Sequence, residues 1–481
     1  MNAQYFTPEE LAQMEQEDSL CLLEAAQLQV RQLEARSRQL RDLRAQIEPL
    51  QARNTELESL LAKAQREAKR QAAPFRVPEA KRRQNPKRSG RAVGHPGAYR
   101  PRPIQIDQEI TVPLEPCSCP QCGGQSWSSP RELEQYIEEI PLTRPQVTRL
   151  RTYEATCTSC GETVSSRHPL QVSHATGAAG THLGPRALAL AADLSKAKHL
   201  TLRKTCAVLH DHFGLQLTAG GLCQALARVA ERLAPQYDQL QVELCQAPVV
   251  HVDETSWWVA GSSAWLWVFT HPRGTFYFIC QSRGREVLEA VLGFVLKCLL
   301  VSDCLSVYDL KDVLQQKCYS HYLETIRKAL EAAPASCQEP QAFLPQAKAL
   351  LRRAIALGKT RALDSFDPAA FAQERQQLNA EADALFALDH AERQEEILYN
   401  RLTNQRDHLF TFLDHPGVDA TNNLAERQLR PAVIARKLSC GNKTMAGART
   451  FQTLASLAAT CTQVDTSFID CVAAAVTLDS S

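Results

Sequence analysis

PVVHVDETSWWV, residues 248–259, decides how this chain is to be read. An apolar run, Val249 to Val252 broken only by His251, leads straight into two adjacent acids, Asp253 and Glu254, and then into Trp257 and Trp258. β-Branched residues in a short run predict a strand. Carboxylates at the end of a buried strand cost free energy unless they are paired or hold a cation. The stretch therefore predicts a strand that ends in acid, with Asp253 as a candidate metal ligand or a turn residue, Glu254 as a solvated neighbour and the tryptophans as packing groups.

Downstream the same texture continues. AWLWVFT (264–270) and FYFIC (276–280) are rich in aromatic and β-branched residues and lie between Gly-containing turns. REVLEAVLGF (285–294) has helical spacing, and LLVSD (299–303) is a further apolar strand closing on Asp303. The expected order is three antiparallel strands, a helix and another strand. Residues 324–412 read as helical and polar on one side, and TNNLAERQLRP (421–431) and GARTFQTLASLAATC (447–461) as further helices.

Asp253, Asp303 and Glu426 are the acids with a chemical use in common. The first two end neighbouring apolar strands, so their side chains can converge. Three converging carboxylates repel unless a cation neutralises them, and Mg2+ takes oxygen ligands while keeping several waters. Two such ions about 4 Å apart activate an attacking oxygen and stabilise a leaving one in phosphoryl displacement. Each acid also has a plainer reading. Asp303 is placed to cap a helix beginning near Leu305, and Glu426 stands three residues after Asn423 as in a capping box.

Length and composition bound the rest. At 481 residues, with 44% hydrophobic and 22% charged residues, the chain is a multidomain globular protein. Its formal net charge of +1 hides a block from Lys63 to Arg102 with 13 Lys or Arg against Glu67 and Glu79. Such an arm, punctuated by Pro and Gly, is expected to be extended and to meet nucleic-acid phosphate, with Lys81, Arg82, Arg83, Lys87 and Arg88 as candidate contacts. The first residues carry no secretory pattern, and Val291–Val301, interrupted by Lys297, is too short to span a bilayer. Single cysteines in apolar runs (Cys206, Cys223, Cys298, Cys461) read as small buried hydrophobes of a reducing, cytoplasmic protein.

Two Cys-x2-Cys pairs stand apart. Cys119 and Cys122, and Cys157 and Cys160, each precede glycine. Four thiolates so spaced predict one structural Zn2+ in a ribbon, with strand-like text between the pairs and Cys117 as a spare thiol beside the first. Near the N-terminus, Leu33, Leu40, Ile47, Asn54 and Leu61 fall at one heptad position and Leu43, Leu50 and Leu57 at the other, so a self-associating helix competes with an amphipathic one packed on its own domain. Arg36 breaks the first heptad, and Pro49 is expected to kink or end the helix. A helix ending at Gly214 and a second capped by Thr218 have the lengths of a helix-turn-helix, which also suits plain packing.

In order, a basic arm with GHPG (94–97), CPQCGG (119–124), a helical pair, HVDET (251–255), VSDC followed by Tyr308, and NNLAERQLRPAVIARK (422–437) resemble the IS66-family transposases over about residues 85–465. The resemblance implies a multidomain α+β protein with an RNase H-like, retroviral-integrase-like catalytic core. That core is interrupted by an all-helical insertion and preceded by a coiled-coil-like helix, a zinc ribbon and a helical DNA-binding domain. The expected boundaries are 1–62 (helical), 63–112 (basic arm), 113–170 (zinc ribbon), 171–244 (helix-turn-helix-like), 245–325 and 413–465 (core), 326–412 (insertion) and 466–481 (tail). It carries a DDE triad over to Asp253, Asp303 and Glu426 with two Mg2+ or Mn2+ ions. It also implies phosphate contacts by Asn422, Asn423, Arg427, Arg430, Arg436 and Lys437. Cys318 and His321 match a C-x2-H element, but the first arginine after it is Arg327, so His321 is read as a buried structural histidine. Pro431 is expected to kink the helix bearing Glu426.

The implied activity is metal-dependent DNA transposition: binding of the element's terminal inverted repeats, 3′-end cleavage and strand transfer to target DNA. The implied partners are DNA, further copies of the chain and element-encoded accessory proteins, in a bacterial cytoplasm, nucleoid-associated when bound to DNA and with no membrane. An inactive transposase-derived DNA-binding protein and an RNase H-like nuclease without strand transfer are the alternatives.

Overall fold

The computed structural model describes residues 180–310, 313–332, 339–387 and 393–477 without interruption. It also describes residue 171, residues 94–168 other than 98, 113–117, 120, 127, 129–130 and 142, and residues 7–10, 12–13, 30–31, 34–41, 43, 45–47, 49, 51 and 53–58. The chain divides into two units, Met1–Ile137 and Glu138–Ser481. Among the described residues no helix is long and apolar enough to cross a membrane.

In the first unit the described residues between 30 and 58, on both sides of Pro49, are helical. Leu40, Leu43, Ile47 and Leu57 of the heptad are exposed; Leu33, Leu50 and Leu61 lie outside the described residues, as do Lys81, Arg82, Arg83, Lys87, Arg88 and Cys117. Cys119–Gly124 forms a tight knuckle in which Cys119 N–H donates to Gly124 O and Gly123 N–H to Cys119 O, both at 2.8 Å. Gly123 supplies the left-handed residue, φ +71°, that this turn requires.

The second unit opens on a hairpin, β1 (Glu154–Thr156) and β2 (Thr163–Ser165), paired antiparallel. Its tip, Cys157–Glu162, repeats the knuckle: Cys157 N–H donates to Glu162 O and Gly161 N–H to Cys157 O. The other strand-like text between the cysteine pairs forms no strand, because no neighbouring backbone among the described residues pairs with it; Ile137, Ile140 and Val147 remain exposed.

Four helices follow: α1 (Pro185–Ala192), α2 (Leu202–Phe213), α3 (Ala219–Arg232) and α4 (Ala234–Gln246). The expected punctuation is present. Gly214 closes α2 in the left-handed region, and the Thr218 hydroxyl caps α3 by accepting the Gly221 N–H. These helices share one continuous hydrophobic core with the sheet that follows them.

That sheet has the order β5-β4-β3-β6-β7: β3 (Val249–Val259), β4 (Ser262–His271), β5 (Gly274–Cys280), β6 (Leu299–Ser302) and β7 (Gln315–Lys317). β3, β4 and β5 are antiparallel neighbours, and β6 and β7 run parallel to β3, after the helix α5 (Glu286–Leu292). The strand expected to end at Asp253 instead continues to Val259, because Glu254 to Val259 pair with Trp267 to Ser262 of β4. Asp253 therefore stands mid-strand. Ala260 and Gly261, both at positive φ, form the two-residue turn that a tight hairpin needs.

Alternation along β3 sorts its side chains to two faces. Val250 and Val252 join the core shared with α1–α4, while Trp257 and Val259 face the other way. On that second face the chain supplies α6 (Tyr319–Ala332), α7 (Phe343–Thr360), α8 (Pro368–Phe386), α9 (Arg393–Asn404), the short α10 (Thr411–Asp414) and α11 (Asn423–Ser439). Leu299 and Val301 of β6 pack with α6–α10, and Trp257 with α11 and α12 (Met445–Gln463). α13 (Phe468–Thr477) packs against α1 within the expected tail, burying Phe468 and Val472. Trp257 is a packing residue, its ring tilted at 35° against Phe451 with centroids 5.0 Å apart, whereas Trp258 is exposed. Cys298 and Cys461 are buried as expected, but Cys223 is exposed on α3 because it falls on the helix's outward side.

α12 also closes the sheet edge. Gln452, Ser456 and Thr460, four residues apart on the helix, accept the N–H groups of Ile279, Tyr277 and Thr275, two residues apart on β5. The match is metrical: four helical residues rise about 6 Å and two strand residues about 6.7 Å.

Candidate active site

The parallel pairing of β3 with β6 sets Val249 opposite Leu299, Val250 opposite Leu300 and His251 opposite Val301. Carried two residues further, the same register would bring Asp253 opposite Asp303 on one face, in keeping with the effect of Asp303's charge on Asp253. Asp303 lies just past the end of β6, where its Oδ1 accepts the Leu305 N–H at 2.9 Å. The expected helix there is a single 3-10 turn, Ser306–Tyr308, and Asp303 does not cap it. Asp253 Oδ1 accepts the Glu254 N–H at 2.8 Å.

Glu426 comes from α11, whose N-cap is Asn422, so Glu426 sits one residue too far along to complete a capping box. Asn422 is buried and acts as a keystone. Its amide donates to Val252 O at 2.7 Å, its Oδ1 lies 3.2 Å from His251 Nδ1, and its backbone N–H donates to Cys318 Sγ at 3.1 Å. This helix start is thereby fixed to the strand bearing Asp253 and to the residue that follows β7. Pro431 leaves α11 continuous from Asn423 to Ser439.

Burial, then the charges of Glu254, Asp303 and Glu426, push Asp253 up to about 7. Asp303 and Glu426 thus act on the charge of Asp253, and a carboxylate so placed is neutralised by a proton or a cation. Hard oxygen donors in this condition fit a divalent cation such as Mg2+.

Glu254 is not a solvated neighbour. It points to the opposite face, where it is buried, ion-paired with Arg283 at 2.7 Å and accepts a hydrogen bond from the Tyr308 hydroxyl. Arg283 in turn lies over the Trp265 ring at 4.2 Å. Adjacent acids on a strand face opposite ways, and only Asp253 faces Asp303.

His321, expected to be buried, is exposed on the first turn of α6, because α6 presents Tyr319, Tyr322 and Ile326 to the core and turns His321 outward. Its hydrogen bond with Cys318, aided by the charges of Asp303 and Glu426, pushes it up to about 9. A histidine one helical turn after a cysteine that follows a strand was the available signal; its closeness to Glu426 was not readable, since α11 brings that acid from elsewhere in the chain.

The candidate phosphate contacts divide. Arg427, Arg430 and Lys437 are exposed along α11. Arg436 is tied inward to Thr255 Oγ1 at 2.9 Å and Ser256 Oγ at 2.7 Å, and Asn422 is interior. In each cysteine knuckle the first thiol is held below its ordinary value by backbone N–H groups, those of Gln121 and Cys122 for Cys119 and those of Cys160 and Ser159 for Cys157. Donors so aimed favour the thiolate form that a metal takes.

The family model described as Transposase IS66 family matches residues 180–450, which span β3–β7, α11 and all three acids. Among curated proteins, no match to the chain is found.

Proposed function

This chain belongs to the IS66 family of transposases, and from that premise we propose that it binds the inverted repeats at its element's ends, cleaves their 3′ ends and joins them to target DNA. The family is one of nucleic-acid-cutting enzymes. The observation that carries the finer reading is the acid constellation: a parallel register that would bring Asp253 opposite Asp303, with Glu426 close enough to raise the proton affinity of Asp253. Three antiparallel strands followed by two parallel ones, with the third acid on a later helix, support an RNase H-like core interrupted by the helices α6–α10.

On this reading Asp253, Asp303 and Glu426 hold Mg2+ or Mn2+. When bound, such a pair of ions lowers the pKa of the attacking oxygen and neutralises charge on the phosphoryl group. The protein's own part is placement. β3 and β6 fix the first two acids in register, and Asn422 sets the start of the helix that delivers the third. Arg427, Arg430 and Lys437, on an exposed side of α11, contact DNA phosphates, and the basic arm with Lys81, Arg82, Arg83, Lys87 and Arg88 adds salt-sensitive affinity. Arg436 is assigned to holding α11 on β3 instead.

Cys119, Cys122, Cys157 and Cys160 are proposed as zinc ligands in an end-recognition domain, a reading supported by the matching backbone pattern of the two knuckles, each taken by itself. Helices α2 and α3 are proposed to share in end recognition. The exposed heptad residues Leu40, Leu43, Ile47 and Leu57 support self-association on DNA. The test is incubation with labelled element-end duplexes and Mg2+, scoring 3′ nicks and joined products. Binding without either product would remove the catalytic claim.

A further inference from the structure

We propose that Cys318, His321 and Glu426 form a binding site for a soft divalent cation, Zn2+ foremost, that shares its carboxylate with the acid triad. One ligand atom from each of the three lies within 4.8 Å of the others. The donors are sulfur, nitrogen and oxygen. A thiolate and an imidazole select Zn2+ over Mg2+, and three protein ligands leave the fourth tetrahedral position open.

The site is built rather than incidental. Cys318 is buried, and its backbone N–H donates to Ser302 O at 2.8 Å, which seats it beside the end of β6. The Asn422 N–H donates to its Sγ at 3.1 Å, the kind of contact an outer-sphere donor makes to a metal-bound thiolate. His321 stands one turn later, its N–H bonded to Cys318 O at 3.2 Å, so both side chains emerge on the same side of the start of α6. Donor atoms around a tetrahedral zinc lie roughly 3.3–3.7 Å apart, so closure asks for a shift of about an ångström. His321, being exposed, is free to make it.

Glu426 cannot serve both cations fully. Zinc bound here withdraws it from Asp253 and Asp303, so Zn2+ and Mg2+ oppose one another through one side chain. The cation site does not depend on what the triad cuts.

The test is zinc content and affinity of the full-length protein in buffered free Zn2+, with His321→Asn, Cys318→Ser and Glu426→Gln compared with wild type and circular dichroism checking that each is folded. Wild type is expected to bind one more Zn2+ per chain than Cys318→Ser or His321→Asn, with Glu426→Gln weakened about tenfold or more. Because His321 is exposed, its variant keeps the test decisive if Cys318→Ser misfolds. Equal zinc in wild type and folded His321→Asn would overturn the site. In Mg2+-dependent cleavage, each variant measured against its own zinc-free rate, His321→Asn is expected to need at least tenfold more Zn2+ for half inhibition, and an equal requirement would overturn the shared carboxylate. Extra zinc in a protein that cuts no DNA would uphold the cation site and count against the proposed function alone.

Discussion

The Asn422 side-chain amide donates to the carbonyl oxygen of Val252, the residue before Asp253, at 2.7 Å. Through this bond a helix that begins far along the chain is set directly on the strand of the first acid. Asn422→Ala strips buried partners from Val252 and His251. We expect a loss of about 1–3 kcal/mol in urea unfolding and a fall in end cleavage larger than the fall in DNA affinity. Unchanged cleavage in the folded variant would show that Glu426 is held by other means.

The two neighbouring acids should separate cleanly. Asp253→Asn is expected to abolish 3′ nicking and joining while leaving end binding nearly intact. Glu254→Gln removes a carboxylate from Arg283 and Tyr308, and should cost about 1–3 kcal/mol of stability, with the partly exposed Arg283 moderating the loss. Its folded fraction should still cleave. The reverse pattern would transfer the catalytic role to Glu254.

Burial and neighbouring carboxylates raise Asp253 to about 7 from an ordinary 3.8, so the fold favours its neutral form. The stability this contributes is complete below about pH 4 and is lost as pH rises through about 7. In EDTA the wild type should therefore weaken over that window, and Asp253→Asn should be flatter, gaining about 2–4 kcal/mol on wild type at pH 8. Mg2+, which takes the ionised form, should raise the melting temperature more at pH 8 than at pH 6. Parallel melting curves for the two proteins across this range would refute the assignment.

Exposed and tethered arginines of α11 should behave differently. Arg427→Ala and Arg430→Ala are each expected to lower the slope of log affinity against log salt by about 1 with little change in stability. Arg436→Ala should instead lower stability by about 1–2 kcal/mol, through the lost bonds to Thr255 and Ser256. A normal salt slope in all three would move the DNA path away from this helix.

Chelation should release zinc, and Cys157→Ser or Cys160→Ser should reduce zinc per chain and weaken binding of element ends, as read by atomic absorption and gel shift. Zinc content unchanged in both variants would place the ligands elsewhere.

Strands β3 to β6 were legible because apolar alternation and aromatic content mark a half-buried surface, and the Gly214 and Thr218 signals marked the bounds of α2 and α3. β7 was not. Gln315, Gln316 and Lys317 carry no apolar signature, yet all three are buried. Lys317 Nζ is satisfied by Tyr308 O and Asp309, and Gln316 Oε1 by the Phe412 N–H. A polar strand of this kind depends on partners distant in sequence, and local text does not announce them. The same holds for the site. Asp253 and Asp303 could be found as strand-associated acids, but the burial of Asn422, the inward turn of Arg436 and the pairing of Glu254 with Arg283 follow from tertiary contacts alone.

The bonding of β5 to Gln452, Ser456 and Thr460 bears on how copies of this protein assemble. A bare edge strand is a template on which another chain can extend the sheet. Here the outward amides of Thr275, Tyr277 and Ile279 are already occupied by a helix of the same molecule. Extension of the sheet by a second chain is therefore blocked at the β5 edge, and strand addition there would first have to displace α12.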